Sequence, residues 1–488
     1  MDNAGWSTRA GRSRALIGLL LLLVGGCSGQ RDRLESVDLL IVDGMVLTMN
    51  TERQLFESGY VAVRAERIVG VGPMSDHPLA RYRPNAVVRA QGRAVLPGLI
   101  NGHTHLAMTL LRGIADDLEL EEWLTRYIFP AEAKNLSRAY VEAGTRLGLV
   151  ELIRGGVTTY ADMYYFEDAV AQETRRAGLR GVLGQTLIDF SVPDNPTWEG
   201  AIPSTERYLN RWSGDPWIVP AVAPHSLYTV SGPHWREAIA LAERRGAPLL
   251  THLAEATTET EFARSRFGQR PVGYLEGVGL FSTRSPVTVA HAVHLEAPEI
   301  ERLAARGIGV VHCPESNMKL SSGTAPVPAM IAKRVRLGIG TDGAASNNNL
   351  DLWQEIDTAA KLHKLISGRP TTLTAQDVLE MATIGGARAL HLEDRVGSLE
   401  PGKLADLILV GVEEPHQTPM YHLVSHLVYA NSAADVTDTM VHGRWLMRHR
   451  RLLTLDERAI RREALRYQAQ VRASLLSLPG ISGDATNE

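Results

Sequence analysis

The sequence predicts an α/β protein: a (β/α)8 TIM barrel carrying a small β-sandwich built from the segments that flank it. Eight apolar, strand-like runs alternate with helix-like stretches between Val95 and Asp342, the rhythm of a barrel. Short β runs split by turn residues lie before and after that stretch. Histidines and an aspartate recur where the apolar runs end, and in a barrel those ends gather on one face. A doubly wound open sheet is the alternative, but no GxGxxG fingerprint follows the first run.

The first 26 residues have the layout of a secretory signal. Arg9, Arg12 and Arg14 precede an apolar run from Ala15 to Val24, which ends at Gly25-Gly26-Cys27. That run is too short to span a bilayer as a stable helix. Small residues before a cysteine resemble the bacterial lipobox, so Cys27 is expected to carry lipid, with residues 27–36 as a tether. Ser28 after that cysteine implies outer-membrane sorting. A misassigned start codon, leaving a cytoplasmic protein, is the alternative.

Residues 37–94 read as the first part of the sandwich. Val37–Val42 leads through Asp43-Gly44, a hairpin signal, to Met45–Thr48, and Tyr60–Val63 and Arg67–Val71 repeat the pattern. The barrel is assigned to 95–391. Its strand candidates are Val95–Ile100, Gly156–Asp162, Arg180–Asp189, Ile218–His225, Pro248–His252, Val287–His291, Gly307–His312 and Arg336–Asp342. Ser137–Arg154, His234–Arg245 and Pro298–Arg306 are helix-like. Residues 392–454 return to β runs and complete the sandwich. Residues 455–488 read as a helix and a polar tail.

The chain has 488 residues, with 44% hydrophobic and 22% charged, ordinary for a globular protein. A formal charge of −4 leaves no basic footprint for nucleic acid. Two cysteines, Cys27 and Cys313, are too few for a disulfide framework.

The chemistry is carried by His103-Thr104-His105. Residues i and i+2 of an extended chain point to one side, so both imidazoles can reach one ion. Downstream, His225, His252, His291 and Asp342 also fall at strand ends. Histidines and a carboxylate suit Zn²⁺, and a metal-bound water can have its pKa lowered from 15.7 to about 7. Glu255, three residues past His252, is placed to shuttle protons, His291 to hold the attacking oxygen, and Asp342 to serve as ligand and base. No lysine occurs between Lys134 and Lys319, so no carbamylated lysine can bridge two metals there, and one divalent ion is expected, zinc first and iron second. His294 competes with His291 for its role. Cys313 and His312 read as structural, and Asp116 and Asp117 as ordering the first loop.

The chain resembles the amidohydrolase superfamily, and within it the deaminases of 5′-methylthioadenosine and S-adenosylhomocysteine, with triazine hydrolases as cousins. The resemblance rests on Pro97–His105, Leu111–Asp117, Glu122-Trp123-Leu124, Phe129–Glu132, His312–Leu320, Gly340–Asn347 and Gly397–Lys403. It implies His103, His105, His252 and Asp342 as metal ligands and Glu255 and His291 as the catalytic pair. It also implies Trp123, Glu132, His225 and Ser346 as substrate contacts, Glu132 accepting from ribose hydroxyls. The implied reaction is attack of metal-bound hydroxide on adenine C6 of a nucleoside, releasing ammonia. The chain departs from relatives that accept S-adenosylhomocysteine in having no arginine or lysine between Arg180 and Arg207. The competing readings are a guanine or pterin deaminase, a triazine chlorohydrolase, and a non-catalytic binding lipoprotein. The expected partners are a small nucleoside or heterocycle and further copies of the chain, with a lipid anchor as the only membrane attachment.

Overall fold

The computed structural model describes residues 34–475. The expectations for residues 1–26, Cys27, most of the tether and the polar end of the tail lie outside the described residues. No helix among the described residues is long and apolar enough to cross a membrane.

Five strands come first: β1 (Glu35–Leu47), β2 (Leu55–Arg64), β3 (Arg67–Pro73), β4 (Tyr82–Arg89) and β5 (Arg93–Pro97). The barrel follows with β6 (Leu99–Thr104), β7 (Val157–Tyr164), β8 (Arg180–Leu187), β9 (Ile218–Pro224), β10 (Leu249–Leu253), β11 (Val287–His291), β12 (Gly309–His312) and β13 (Arg336–Ile339). The last four strands are β14 (Leu407–Gly411), β15 (Val436–Val441), β16 (Arg444–Arg448) and β17 (Arg451–Leu452).

Strands β6 to β13 lie in sequence order, and each paired neighbour runs parallel. The ring closes where β13 returns beside β6, and Asp342 N donates to His103 O at 3.0 Å. Every residue of β7 and β8 is buried, as expected of parallel strands covered on both faces. Helices Arg138–Gly155 and Gly232–Arg245 occupy the predicted stretches, each followed by a left-handed glycine, Gly156 and Gly246.

The flanking strands form a nine-stranded sheet, in which β14 pairs antiparallel with β5. Its two arms share one apolar core, with Ile41, Val61 and Val63 from one side and Leu407, Leu409 and Met440 from the other. A fully buried ion pair, Arg180 to Asp406 at 3.0 Å, ties barrel strand β8 to this unit.

Two local expectations are corrected. Asp43-Gly44 is not a hairpin: β1 continues through it, with register shifts against β2 and Asp43 at φ 64. A positive-φ residue also forms bulges, and here the pairing with β2, β4 and β5 holds the strand straight on. Val95–Ile100 is not one barrel strand. It divides at Gly98, β5 joining the flanking sheet and β6 the barrel. A side chain at Gly98 would place its Cβ 2.1 Å from Thr158, so only glycine allows the chain to pass from one sheet to the other.

Candidate metal centre and substrate cavity

The first two histidines stand at the end of β6, and the loop after them is clamped from β7. Asp162 Oδ1 accepts from the Thr104 hydroxyl and from Leu106 N, both at 2.6 Å. His105 Nδ1 donates to Met163 O at 2.6 Å, and His252 Nδ1 donates to His225 O at 2.8 Å. Each ring nitrogen that faces the backbone is thus protonated, and each Nε2 presents a lone pair inward.

Those inward atoms converge. His252 Nε2 lies 3.3 Å from His105 Nε2, and Asp342 Oδ1 lies 3.2 Å from His105 Nε2 and 3.4 Å from His103 Nε2. His103 Nε2 is buried without a hydrogen-bond partner. Ligand atoms of His103, His105 and His252, and of His103, His291 and Asp342, lie within 4.8 Å of one another. An ion with bonds of about 2.0–2.1 Å suits donors at such separations, and it would satisfy the orphaned nitrogen. The donor set therefore fits a divalent metal.

Asp342 and His291 are held in unusual backbone conformations, φ 60 and φ 69. Such strain persists where the surroundings over-determine it, and it collects at functional sites. Burial opposes a charge on Asp342, yet His103 and His105 beside it hold its carboxyl well below the usual range. His291 Nδ1 donates to Asn317 Oδ1 at 2.9 Å, which turns its Nε2 to within 3.9 Å of Glu255 Oε2. Glu255 is fixed through its backbone: Glu259 accepts from Ala254 N and Glu255 N. Burial pushes the Glu255 carboxyl up.

Trp123, Glu132 and His225 line the same cavity as His105, His252, Glu255, His291 and Asp342. Glu132 is 3% exposed, not a surface charge, and its Oε1 accepts from Tyr164 OH at 2.5 Å. Burial pushes its pKa up to about 7. Trp123 is buried with an unpartnered indole nitrogen. His225, brought down to about 3 by burial, bonds through Nδ1 to the Ser226 and Thr229 hydroxyls. His294 is turned away, its Nε2 donating to Ser322 O at 2.7 Å.

Ser346 is corrected. It does not line the cavity. Its hydroxyl donates to Asp342 Oδ2 at 2.9 Å, beside Ser316, which does so at 2.7 Å. Two residues not singled out from sequence also matter, Tyr164 at the end of β7 and Asn317 behind His291. Tyr164 had the strand-end signal, whereas nothing in the sequence paired Asn317 with His291. Asp116 orders the first loop, accepting from Lys319 Nζ at 2.5 Å and from Asn348. His312 sits 3.3 Å from His363, away from the cavity.

A barrel with three inward histidines and an aspartate at its strand ends, plus a carboxylate beside them, defines a metal-dependent hydrolase. Comparison with known proteins narrows this. The amidohydrolase family model matches residues 94–446, and the chain belongs to that family. It is 48% identical over 434 residues to a 5-methylthioadenosine/S-adenosylhomocysteine deaminase of Syntrophobacter fumaroxidans, covering 89% of this chain and 98% of that one. Among solved structures, an adenosine deaminase from Xanthomonas campestris with bound zinc superposes with a TM-score of 0.88 at 38% identity, covering 90% of this chain and all (100%) of that one. An atrazine chlorohydrolase from Arthrobacter aurescens shares the fold, with a TM-score of 0.81 at 22% identity over 88% of this chain and 100% of that one.

The Ser346 correction is testable. Removing a group that orients a ligand typically weakens metal binding about 10–100-fold. Ser346→Ala is expected to lose affinity in that range in a chelator-competition titration, with KM little changed once metal is saturating. A raised KM at unaltered metal affinity would restore the substrate-contact role.

Proposed function

We propose that the chain is a hydrolytic deaminase of an adenosine-type nucleoside, using one divalent ion held by His103, His105, His252 and Asp342. Zinc is the first choice for three imidazoles and a carboxylate, with iron second. The observation that carries the reading is the pairing of two functions in one cavity: Glu255 and His291 beside the ligand set, and a buried Glu132 on the cavity wall. The ion, when bound, makes water a nucleophile at neutral pH.

The chain's own residues do the rest. Glu255 takes a proton from the attacking water and passes it to a ring nitrogen of adenine, which prepares C6 for attack. A C6–O bond forms, the exocyclic C6–N bond breaks, and the remaining proton leaves with the amine as ammonia. His291, oriented by Asn317, holds the incoming oxygen through Nε2. Asp342, kept ionised by its neighbours, accepts the second proton before the amine takes it. Trp123 packs against the nucleoside, and Glu132 accepts from the ribose hydroxyls. A free guanine, pterin or triazine has no ribose for Glu132 to read.

Export remains a proposal of its own, supported by Arg9, Arg12, Arg14, the apolar run and Gly25-Gly26-Cys27. Cys27→Ser is expected to leave the precursor unprocessed. A native protein whose N-terminus lies beyond Cys27, unlipidated and in the cytoplasm, would support the misassigned start.

Glu255→Gln keeps shape but cannot take the proton, so turnover should fall about 10²–10⁴-fold with metal retained. Near-normal turnover in a metal-replete variant would exclude Glu255 as the shuttle. Glu132→Ala should cost a ribonucleoside about ten- to a hundredfold in kcat/KM, since a hydrogen bond to a charged acceptor is worth about 1.5–3 kcal/mol. A 2′,3′-dideoxy analogue should be poor for the wild type and lose little more in the variant. Equal losses on both substrates would reduce Glu132 to a support of the fold.

A further inference from the structure

At the floor of the barrel, opposite the metal centre, lies a groove of about 290 Å³. It opens where three strands begin: Val287 starts β11, Gly307 and Ile308 lead into β12, and Arg336 starts β13. His291 closes β11 four residues after Val287, so groove and metal centre stand roughly 13 Å apart along that strand.

The walls of this groove carry charge of one sign. Arg284, Arg306, Arg336 and His391 line it, and no aspartate or glutamate does. Arg336 is paired, with Glu393 Oε1 at 2.6 Å. Arg284 and Arg306 are exposed, and among the described residues neither guanidinium makes a hydrogen bond or an ion pair. Glu243 meets Arg284 only through the backbone N–H, which donates to it at 3.0 Å. This wall therefore holds an uncompensated positive potential, which an anion relieves.

A second observation points the same way. Ser285 lines the groove at 9% exposure, and its Oγ is buried without a hydrogen-bond partner. Buried polar atoms are nearly always paired, so an orphaned hydroxyl on a cationic wall marks a place for an acceptor. Thr283 beside it is already engaged, its hydroxyl donating to Glu243 Oε1 at 2.9 Å. Gly307 leaves the Arg336 side chain uncovered, since a Cβ there would lie 3.6 Å from Arg336 Nε.

Guanidinium groups present forked N–H donors that match phosphate oxygens, and the serine hydroxyl adds one more. Three guanidiniums and a hydroxyl offer more donors than the two oxygens of a carboxylate can face at once. The volume is roughly ten times the ~30 Å³ that one water occupies in the liquid, room for a phosphate with a small organic remainder.

We propose that this groove is an anion site, separate from the metal centre, which binds the phosphate group of a small ester or of a lipid headgroup through Arg284, Arg306, Arg336 and Ser285.

The test titrates the full-length, metal-loaded chain with inorganic phosphate and with glycerol 3-phosphate in a calorimeter, at fixed ionic strength. Saturable binding is expected, with metal content unchanged in every variant. Arg284→Gln and Arg306→Gln should each weaken it about tenfold or more, the usual loss for a hydrogen bond between charged groups. Ser285→Ala should weaken it about two- to tenfold. Arg302→Gln is the control, because it takes the same charge from the same helix at a residue that pairs with Glu276 and does not line the groove. It should leave affinity within about twofold, since screening by salt weakens distant charges. Tighter binding of glycerol 3-phosphate than of inorganic phosphate supports the site and names a free ester as the source. Cosedimentation with phosphatidylglycerol vesicles that Arg306→Gln abolishes and Arg302→Gln does not supports it with a headgroup as the source. No saturable binding in any of these arms, or equal losses in Arg302→Gln and Arg306→Gln, would overturn the proposal. Binding that survives both Arg284→Gln and Arg306→Gln would overturn it too, because the phosphate then sits elsewhere, the metal centre included.

Discussion

Burying four histidines and an aspartate against one another is the constraint on which the rest of this structure depends. Isolated charges in a dry interior are prohibitively unfavourable, and neutral polar atoms without partners cost roughly 1–3 kcal/mol each. The fold answers by giving the outward side of most of these groups a partner: Met163 O for His105, His225 O for His252, Asn317 for His291, and the Ser316 and Ser346 hydroxyls for Asp342. What is left, the inward lone pairs and the unpartnered His103 Nε2, is what a cation would satisfy. The barrel is needed because it brings β6 and β13, more than 200 residues apart in sequence, into register at His103 and Asp342.

The barrel strands were legible because parallel strands buried on both faces leave continuous apolar runs that end in polar residues. What could not be read were places where two sheets compete for one stretch of chain. Arg93–Thr104 reads as one strand-like run interrupted only by Pro97-Gly98, and its partners, β14 and β1 on one side and β7 on the other, divide it there between two sheets. Asp43-Gly44 carries hairpin chemistry, but three partner strands along β1 override the local preference. In both cases a tertiary contact decides between conformations that the local sequence permits equally.

The site divides in the same way. His103, His105, His252, His291 and Asp342 could be found from sequence because each closes or closely follows a barrel strand, and the C-terminal strand ends gather at the mouth. Ser346 lies four residues past Asp342 in a turn, where direction is not fixed, and it faces the back of the carboxylate instead of the cavity. Glu132 was singled out as a substrate contact, but nothing in its spacing showed that it is buried. In its buried position it accepts from the Tyr164 hydroxyl on β7, a contact without any signature in spacing.

This division separates reaction from substrate. The residues proposed as metal ligands and catalytic groups sit at or just past strand ends, which the barrel sheet holds in place. The cavity walls beside them come from connecting segments: Leu120 to Phe129 before the first long helix, Phe190 after β8, and Glu255 to Phe262 after β10. Such segments can change without disturbing the sheet or the ligand geometry. An atrazine chlorohydrolase and an adenosine deaminase can therefore share this barrel. Glu255 is the point where the two systems meet, since its carboxylate faces His291 while its residue lines the cavity that Trp123 and Glu132 also line.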